Sequence, residues 1–122
     1  MSCYEKGAKF ERSLVQKFQD KGFIALRSAG SGTIKFIIPD VVAVKKNKII
    51  FIECKSTSKD RISLKKTILS LKKILPISKA EIFLAIKFPR KEERFYKLKE
   101  ILNKENYTIS INEPYLTFED II

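Results

Sequence analysis

Histidine is absent from this 122-residue chain, as is tryptophan. Without histidine there is no Ser-His-Asp or Cys-His catalytic triad, no zinc protease site with histidine ligands and no histidine-dependent metal nuclease. Any acid–base or metal chemistry in this protein must therefore depend on aspartate, glutamate, lysine and tyrosine.

Cysteines and long apolar runs are also scarce. The two cysteines, Cys3 and Cys54, cannot form a metal cage alone, and Cys54 is expected to be a buried apolar residue of a core strand. No segment approaches the roughly 20 apolar residues of a membrane span, and the N-terminus lacks the apolar core of a signal peptide. These features predict a reducing, cytoplasmic setting and no membrane partner.

Acidic residues are few relative to basic ones. The chain has 14 Asp and Glu against 25 Lys and Arg, which gives a formal net charge of +11. Such an excess on a small domain indicates a polyanionic partner, most simply nucleic acid, held through its phosphates. An anionic membrane surface is the rival explanation of the charge excess, although no membrane partner is expected.

The apolar pattern predicts one α/β domain over residues 1–122, with helices packed on a mixed central sheet. Residues 1–7 are expected to form a loose lead-in, and residues 107–122 a tail with one or two short strands broken by Pro114. Gly22 is expected to end the first helix. The predicted helices are 8–21, 62–75 and 90–105. The predicted strands are 23–27, 41–44, 49–55 and 80–88.

Residues 39–55 carry the strongest chemical signal. Asp40 begins one strand of a predicted hairpin, and Glu53 and Lys55 end the other strand on one face, with Cys54 on the opposite face. Two carboxylates and an ammonium group would then converge, which suits Mg²⁺ and phosphodiester hydrolysis. Taken separately, the Pro-Asp pair is compatible with a turn, and the Glu-x-Lys pair with solvated charges.

Three further features have both a functional and a structural interpretation. Glu11 borders the buried face of the first helix, either as a site residue or as a partner of the helix dipole. The loop 28–33 is rich in glycine and serine and either approaches a phosphate or is a plain flexible loop. Lys65 and Lys66 lie on the wetter side of the second helix, which either contacts a phosphate backbone or is solvated.

The order α-β-β-β-α-β and these motifs resemble the restriction-endonuclease-like nuclease superfamily, with its αβββαβ core and PD-(D/E)xK motif. More narrowly, the chain resembles the archaeal Holliday junction resolvases, cellular or viral. The resemblance is close over residues 7–56 and loose to about residue 88. It is carried by G-x-x-x-E-R at 7–12, R-S-x-G-S at 27–31 and PD…E-x-K at 39–55.

The resemblance implies a Mg²⁺ site, with Mn²⁺ as a substitute. The implied ligands are Asp40, Glu53, the backbone carbonyl of Cys54 and, often through water, Glu11. The implied catalytic residues are Glu11, Ser31, Asp40, Glu53 and Lys55, of which Lys55 assists the attacking water and Ser31 reaches the site from its loop. With the loop and helix candidates, the expected DNA contacts are Arg12, Arg27, Ser28, Gly30, Lys65 and Lys66.

The resemblance also implies a homodimer that cuts a four-way DNA junction by paired symmetric nicks, in the cytoplasm of the cell or of a viral host. The apolar side of helix 62–75 and the final segment are candidates for the dimer contact. Two alternatives stay open: another nuclease of the same fold, specific for flaps or for a sequence, and a non-catalytic DNA-binding protein. The second alternative does not explain why three carboxylates would face a polyanion without a metal ion.

Overall fold

The computed structural model describes residues 3–28 and 38–122, and this part of the chain contains four helices and seven strands. The helices are α1 (Cys3–Asp20), α2 (Lys65–Lys72), α3 (Leu98–Ile101) and α4 (Phe118–Ile121). The strands are β1 (Ile24–Arg27), β2 (Val41–Lys45), β3 (Lys48–Ser56), β4 (Arg61–Ser63), β5 (Glu81–Lys87), β6 (Arg94–Lys97) and β7 (Thr108–Ser110). No helix in this part of the chain has the length and apolar content that crossing a bilayer requires.

Five strands form a mixed sheet in the order β1-β2-β3-β5-β6. The β3–β5 pair is parallel, and the β1–β2, β2–β3 and β5–β6 pairs are antiparallel. Strands β4 and β7 form a separate antiparallel pair. The predicted α/β fold with a mixed central sheet is therefore confirmed, and β4 is an addition to the predicted order.

Two apolar clusters cover the opposite faces of the sheet. On one face, Leu14 and Phe18 of α1 are buried against β2, β3 and β5. On the other face, Ile68 and Leu71 of α2 are buried against β5 and the segment that follows it. Every residue of 82–86 is buried, as expected for a strand covered on both sides. Ile68 and Leu71 are buried within the chain, whereas Leu69 of the same helix is exposed, so a dimer contact on this helix stays a prediction.

The end of α1 is set by Gly22, as predicted. Gly22 has a φ of +85°. Its N–H donates to the carbonyl of Gln19 (2.9 Å), and the N–H of Phe23 donates to the carbonyl of Phe18 (3.0 Å). This pair of bonds is the Schellman motif, which uses a left-handed residue to satisfy the last carbonyls of a helix. It turns the chain directly into β1.

Gly22→Ala is expected to lower the free energy of unfolding by about 1–2 kcal/mol, because a residue with a Cβ is disfavoured in the left-handed region. The added methyl has room, since its nearest neighbour is the flexible ammonium group of Lys45 at 3.4 Å. Urea denaturation measures the change. Gly7→Ala, inside α1, is the matched control and is expected to raise stability by about 0.5–1 kcal/mol. A Gly22→Ala protein as stable as the wild type would contradict this role.

Two predicted helix boundaries are wrong. Helix α1 begins at Cys3 and passes through Gly7, so the expected loose lead-in is helical from Cys3 onward. A single glycine costs a helix only about 0.5–1 kcal/mol relative to alanine. Helix α2 begins at Lys65 instead of residue 62, because Ile62 pairs with Ile109 in the β4–β7 sheet. That pairing joins residues distant in sequence and leaves no periodic signal.

The predicted helix over residues 90–105 is also wrong. Residues Arg94–Lys97 form β6, and only the short α3 follows. Phe95 and Tyr96 are both buried, in the clusters on opposite faces of the sheet. A strand between two apolar layers buries consecutive residues on its two opposite faces, whereas an amphipathic helix would direct its buried residues to one face. In the tail, β7 confirms a short strand, but the sequence did not predict α4, whose Phe118 joins the cluster that packs on α1.

Candidate active site

Asp40 and Glu53 meet where β2 begins and β3 nears its end. The pairing of Val41 with Ile52 places the two acidic residues opposite each other. Asp40 Oδ2 accepts a hydrogen bond from the Cys54 N–H (2.8 Å), and the Asp40 N–H donates to Glu53 Oε1 (3.3 Å). Each carboxylate is therefore held by a backbone amide of the neighbouring chain segment. The hairpin itself positions both acidic groups at one end of the sheet.

Glu53 is only 6% exposed and is the one buried charged residue in the described part of the chain. Burial, and then the negative charge of Asp40, raise the pKa of Glu53 to about 8, while the positive charge of Lys55 acts in the opposite direction. An ionised carboxylate in such a place is costly unless a cation is near. The buried Glu53 carboxylate beside Asp40 would therefore be stabilised by a further positive charge, because Lys55 alone does not offset the rise in its pKa.

Lys55 and Cys54 lie on opposite faces of β3. Lys55 shares the face of Glu53 and is half-buried. Cys54, predicted to be buried in the core, is partly buried and packs against the cluster on the α1 face, and burial raises the pKa of its thiol well above the ordinary value. Since the N–H and C=O of a strand residue point to the same side, and the Cys54 N–H bonds the Asp40 side chain, its carbonyl also points to the side of β3 where the segment with Asp40 lies.

Glu11 approaches the pair from α1. Burial, and then the charge of Asp40, raise the pKa of Glu11. Arg27 opposes this shift, because its Nε donates to Glu11 Oε1 at 3.1 Å. Arg27 pairs with Val41 in the sheet, beside Asp40. Arg27, predicted to contact DNA phosphates, is thus engaged by Glu11 within the protein.

Ser28 supports the same end of the sheet. Its N–H donates to the Asp40 carbonyl (3.0 Å) and its hydroxyl to the Pro39 carbonyl (2.8 Å). Ser28 was predicted to contact DNA; the structure shows it bracing the segment that carries Asp40. This use of its hydroxyl was not evident from the sequence, because it depends on the pairing of β1 with β2.

The remaining predicted site residues fall into two groups. Arg12, Lys65 and Lys66 are exposed, and of these only Arg12 acts on the cluster, because its positive charge opposes the rise in the pKa of Glu11. Gly30 and Ser31, with most of the loop 28–33, lie outside the described residues.

Oxygen atoms dominate the possible ligands at this end of the sheet. Among residues 3–28 and 38–122, no three acidic or cysteine side chains converge closely enough to hold an ion by themselves. The possible ligands, Asp40, the buried Glu53 and the Cys54 carbonyl, nevertheless all offer oxygen atoms, and Glu11 lies close by. Such a set fits Mg²⁺, which takes few protein ligands and retains several waters.

Comparison with known proteins gives matches along the whole chain. The sequence model of the family described as archaeal Holliday junction resolvase (Hjc) matches residues 2–122. A crossover junction endodeoxyribonuclease Hjc of Sulfolobus acidocaldarius is 35% identical, over 100% of this chain and 90% of the relative. The protein of the same name from Sulfurisphaera tokodaii is 33% identical, over 96% of this chain and 85% of the relative.

A solved structure shows the same fold. The crystal structure of Archaeoglobus fulgidus Hjc, a Holliday junction resolvase from an archaeal hyperthermophile, superposes with a TM-score of 0.73 at 31% sequence identity. The match covers 85% of this chain and 88% of that one. With the site geometry and the full-length family match, the conclusion is plain: this chain belongs to the archaeal Holliday junction resolvase (Hjc) family.

Proposed function

We propose that this protein is an endodeoxyribonuclease that resolves four-way DNA junctions by paired, symmetric nicks. The observation that carries the proposal is a reciprocal amide clamp, in which the Cys54 N–H bonds the Asp40 carboxylate and the Asp40 N–H bonds the Glu53 carboxylate, with Lys55 on the same face. The chain that holds this clamp matches a resolvase family over residues 2–122. The net charge of +11 suits a polyanionic substrate. The proposed reaction takes place inside the cell, where the DNA substrate is. Residues 1–122 are proposed to act as one nuclease domain.

The proposed cofactor is Mg²⁺, with Mn²⁺ as a substitute. Asp40, Glu53 and the Cys54 carbonyl would hold it, and Glu11 would contribute through water. A bound Mg²⁺ supplies a hydroxide nucleophile and neutralises charge on the phosphoryl group. The burial of the Glu53 carboxylate beside Asp40 supports this assignment, because a bound cation would offset the cost of its charge.

The protein's own groups have distinct parts in the proposed reaction. The clamp fixes Asp40 and Glu53 before substrate arrives, so that little reorganisation is needed. The Lys55 ammonium group lies beside them to orient the attacking water and to stabilise charge on the phosphate in the transition state. Arg27 holds Glu11 in place, so it acts as a positioning residue. Ser31 is proposed to reach the site from its loop.

A homodimer is part of the proposal. The described chain contains one cluster of this kind, and symmetric cuts in two strands require two active sites related by a two-fold axis. Two copies, each cutting one strand of the junction, would leave ligatable duplexes.

The proposal is tested by incubating the protein with labelled four-way junction, flap and linear duplex of matched sequence, with Mg²⁺ or with EDTA. We expect paired nicks at symmetric positions in the junction, no cutting in EDTA, and restored cutting with Mn²⁺. Flap cutting without junction cutting would indicate a different nuclease of this fold. Binding to the junction without cutting in either metal would refute the enzymatic assignment.

A further inference from the structure

A groove that is separate from the candidate active site lies at the same end of the sheet and begins one residue after Lys55. It has a volume of about 570 Å³ and lies between α1, the end of β3 and the turn after β5. Its polar lining consists of Lys9, Ser13, Ser56, Thr57, Lys87, Arg90 and Glu93. None of these residues belongs to the site described above. Because side chains alternate along a strand, Ser56 shares the face of Cys54, which is the α1 face from which Glu11 approaches Asp40, and not the face of Lys55.

The backbone places this groove next to the candidate active site. Ser56 pairs with Lys87 across the parallel β3–β5 ladder, and the Thr57 N–H donates to the Lys87 carbonyl at 3.1 Å. Adjacent strands lie about 4.8 Å apart. The strand order therefore places the backbone positions of Asp40, Lys55 and Lys87 one after another across the same end of the sheet, on β2, β3 and β5.

The cations of the groove differ from Arg27, on the other side of Asp40 and Glu53, in their partners. Within residues 3–28 and 38–122, the four ion pairs include none of Lys9, Lys87 and Arg90. The Lys87 ammonium group donates a hydrogen bond to the Lys91 carbonyl, a neutral partner that leaves its charge unpaired. The one acidic residue that lines the groove, Glu93, is paired with Lys17. On the β1 side, by contrast, Arg27 is engaged by Glu11.

Arg90 occupies a backbone position that favours glycine. Its φ is +59°, and the Lys91 N–H donates to the Phe88 carbonyl at 3.2 Å. With Pro89 at the second position, these are the features of a type II turn, whose third position is usually glycine or asparagine. An arginine there is disfavoured for folding, and such outliers concentrate at functional sites.

We propose that this groove binds the phosphodiester backbone of the DNA strand beside the scissile phosphate, with Arg90 as its principal contact. The inference rests on the proposed junction cleavage and extends it, because it gives the strand a direction: from the carboxylates toward β5, where unpaired cations and hydroxyls line the groove. The contact is with phosphates, so it is independent of base sequence.

Arg90→Gly separates a DNA contact from a structural role, and Lys46→Gly is its matched control. Like Arg90, Lys46 is a basic residue with a positive φ (+53°). It lies at the β2–β3 turn, roughly 15–20 Å from Asp40 along the strands. In both variants, relief of the left-handed strain and the greater freedom of the unfolded chain oppose each other, so Tm should change little.

The measurement is fluorescence anisotropy of a labelled four-way junction over a salt series, in the Asp40→Asn background to prevent cutting. Arg90→Gly is expected to weaken binding about five- to tenfold at 0.1 M salt and to reduce the slope of log K against log salt by about one unit. Lys46→Gly should change affinity less than about twofold, and Arg90→Lys should recover most of the slope.

Equal effects of Arg90→Gly and Lys46→Gly on affinity and slope would overturn the groove assignment, since only total charge would then matter. No effect of Arg90→Gly would overturn it as well. Either result leaves the proposed function standing if the wild-type protein cuts the junction. A wild-type protein that does not cut the junction would refute the proposed function, and the anisotropy would still report whether the groove binds DNA.

Discussion

Asp40→Asn and Glu53→Gln are each expected to slow junction cleavage by about a hundredfold to a thousandfold while the junction stays bound. Each substitution removes one negative charge from the proposed metal ligands but retains the shape of the side chain. Binding is expected to hold or to tighten, because a cleft that faces a polyanion loses negative charge. Single-turnover cleavage of labelled junction with Mg²⁺, and gel shifts in parallel, measure the two effects.

Asp20→Asn is the matched control for this experiment. Asp20 is an exposed residue at the end of α1, where it accepts a hydrogen bond from Gln16. Its substitution by asparagine removes one negative charge, as in the site variants, but away from Asp40 and Glu53. It should cut at the wild-type rate. Loss of junction binding in Asp40→Asn, or full cleavage by either site variant, would be incompatible with the assigned roles.

In metal-free buffer, the free energy of unfolding is expected to fall as the pH rises from about 4.5 to about 8, by something on the order of 3–5 kcal/mol. Burial, and then the charge of Asp40, raise the pKa of Glu53 from 4.5 to about 8 in the folded protein. Between these values the unfolded chain has lost the proton that the folded protein keeps, so raising the pH favours unfolding. The stabilisation is complete below about 4.5 and absent above about 8. Denaturant titrations across this pH range measure it.

Glu53→Gln should flatten this dependence, because its amide cannot ionise yet can still accept the Asp40 N–H. At pH 8 the variant should be more stable than the wild type without metal. Addition of Mg²⁺ should stabilise the wild type more than the variant, since a ligand that binds only the folded state raises its stability. Parallel curves for the two proteins would show that Glu53 is not the titrating group.

Much of the site could be predicted from residues 39–55, for a local reason. A hairpin joins strands that are neighbours in sequence, so alternation along β2 and β3 is enough to bring Asp40 to Glu53 and to place Lys55 beside them. The pairing of Arg27 with Glu11 could not be predicted this way, since it requires the packing of α1 against the sheet. The groove at Ser56 and Arg90 depends on the parallel β3–β5 ladder, which joins residues some thirty positions apart.

The fold shows the same division. Helix α1 and strand β5 follow from periodicity and from a continuous apolar run, which are properties of single segments. Residues 90–105 carry a helix-like spacing of Phe95, Leu98 and Leu102, but the pairing of Phe95 with Ala85 makes the first part a strand. Tertiary pairing overrides a short periodic signal, and nothing near residue 95 marks it.

The position of Phe118 has a consequence for how the molecule comes into being. Its ring packs edge-on against Phe18, with the centroids 4.9 Å apart, although the two residues are separated by most of the chain. Contacts between such distant segments slow folding, since a long loop must close before they form. The cluster on the α1 face therefore lacks a member until residue 118 has been synthesised. A chain that ends before this point already carries Asp40 and Glu53 but not the whole apolar core of that face.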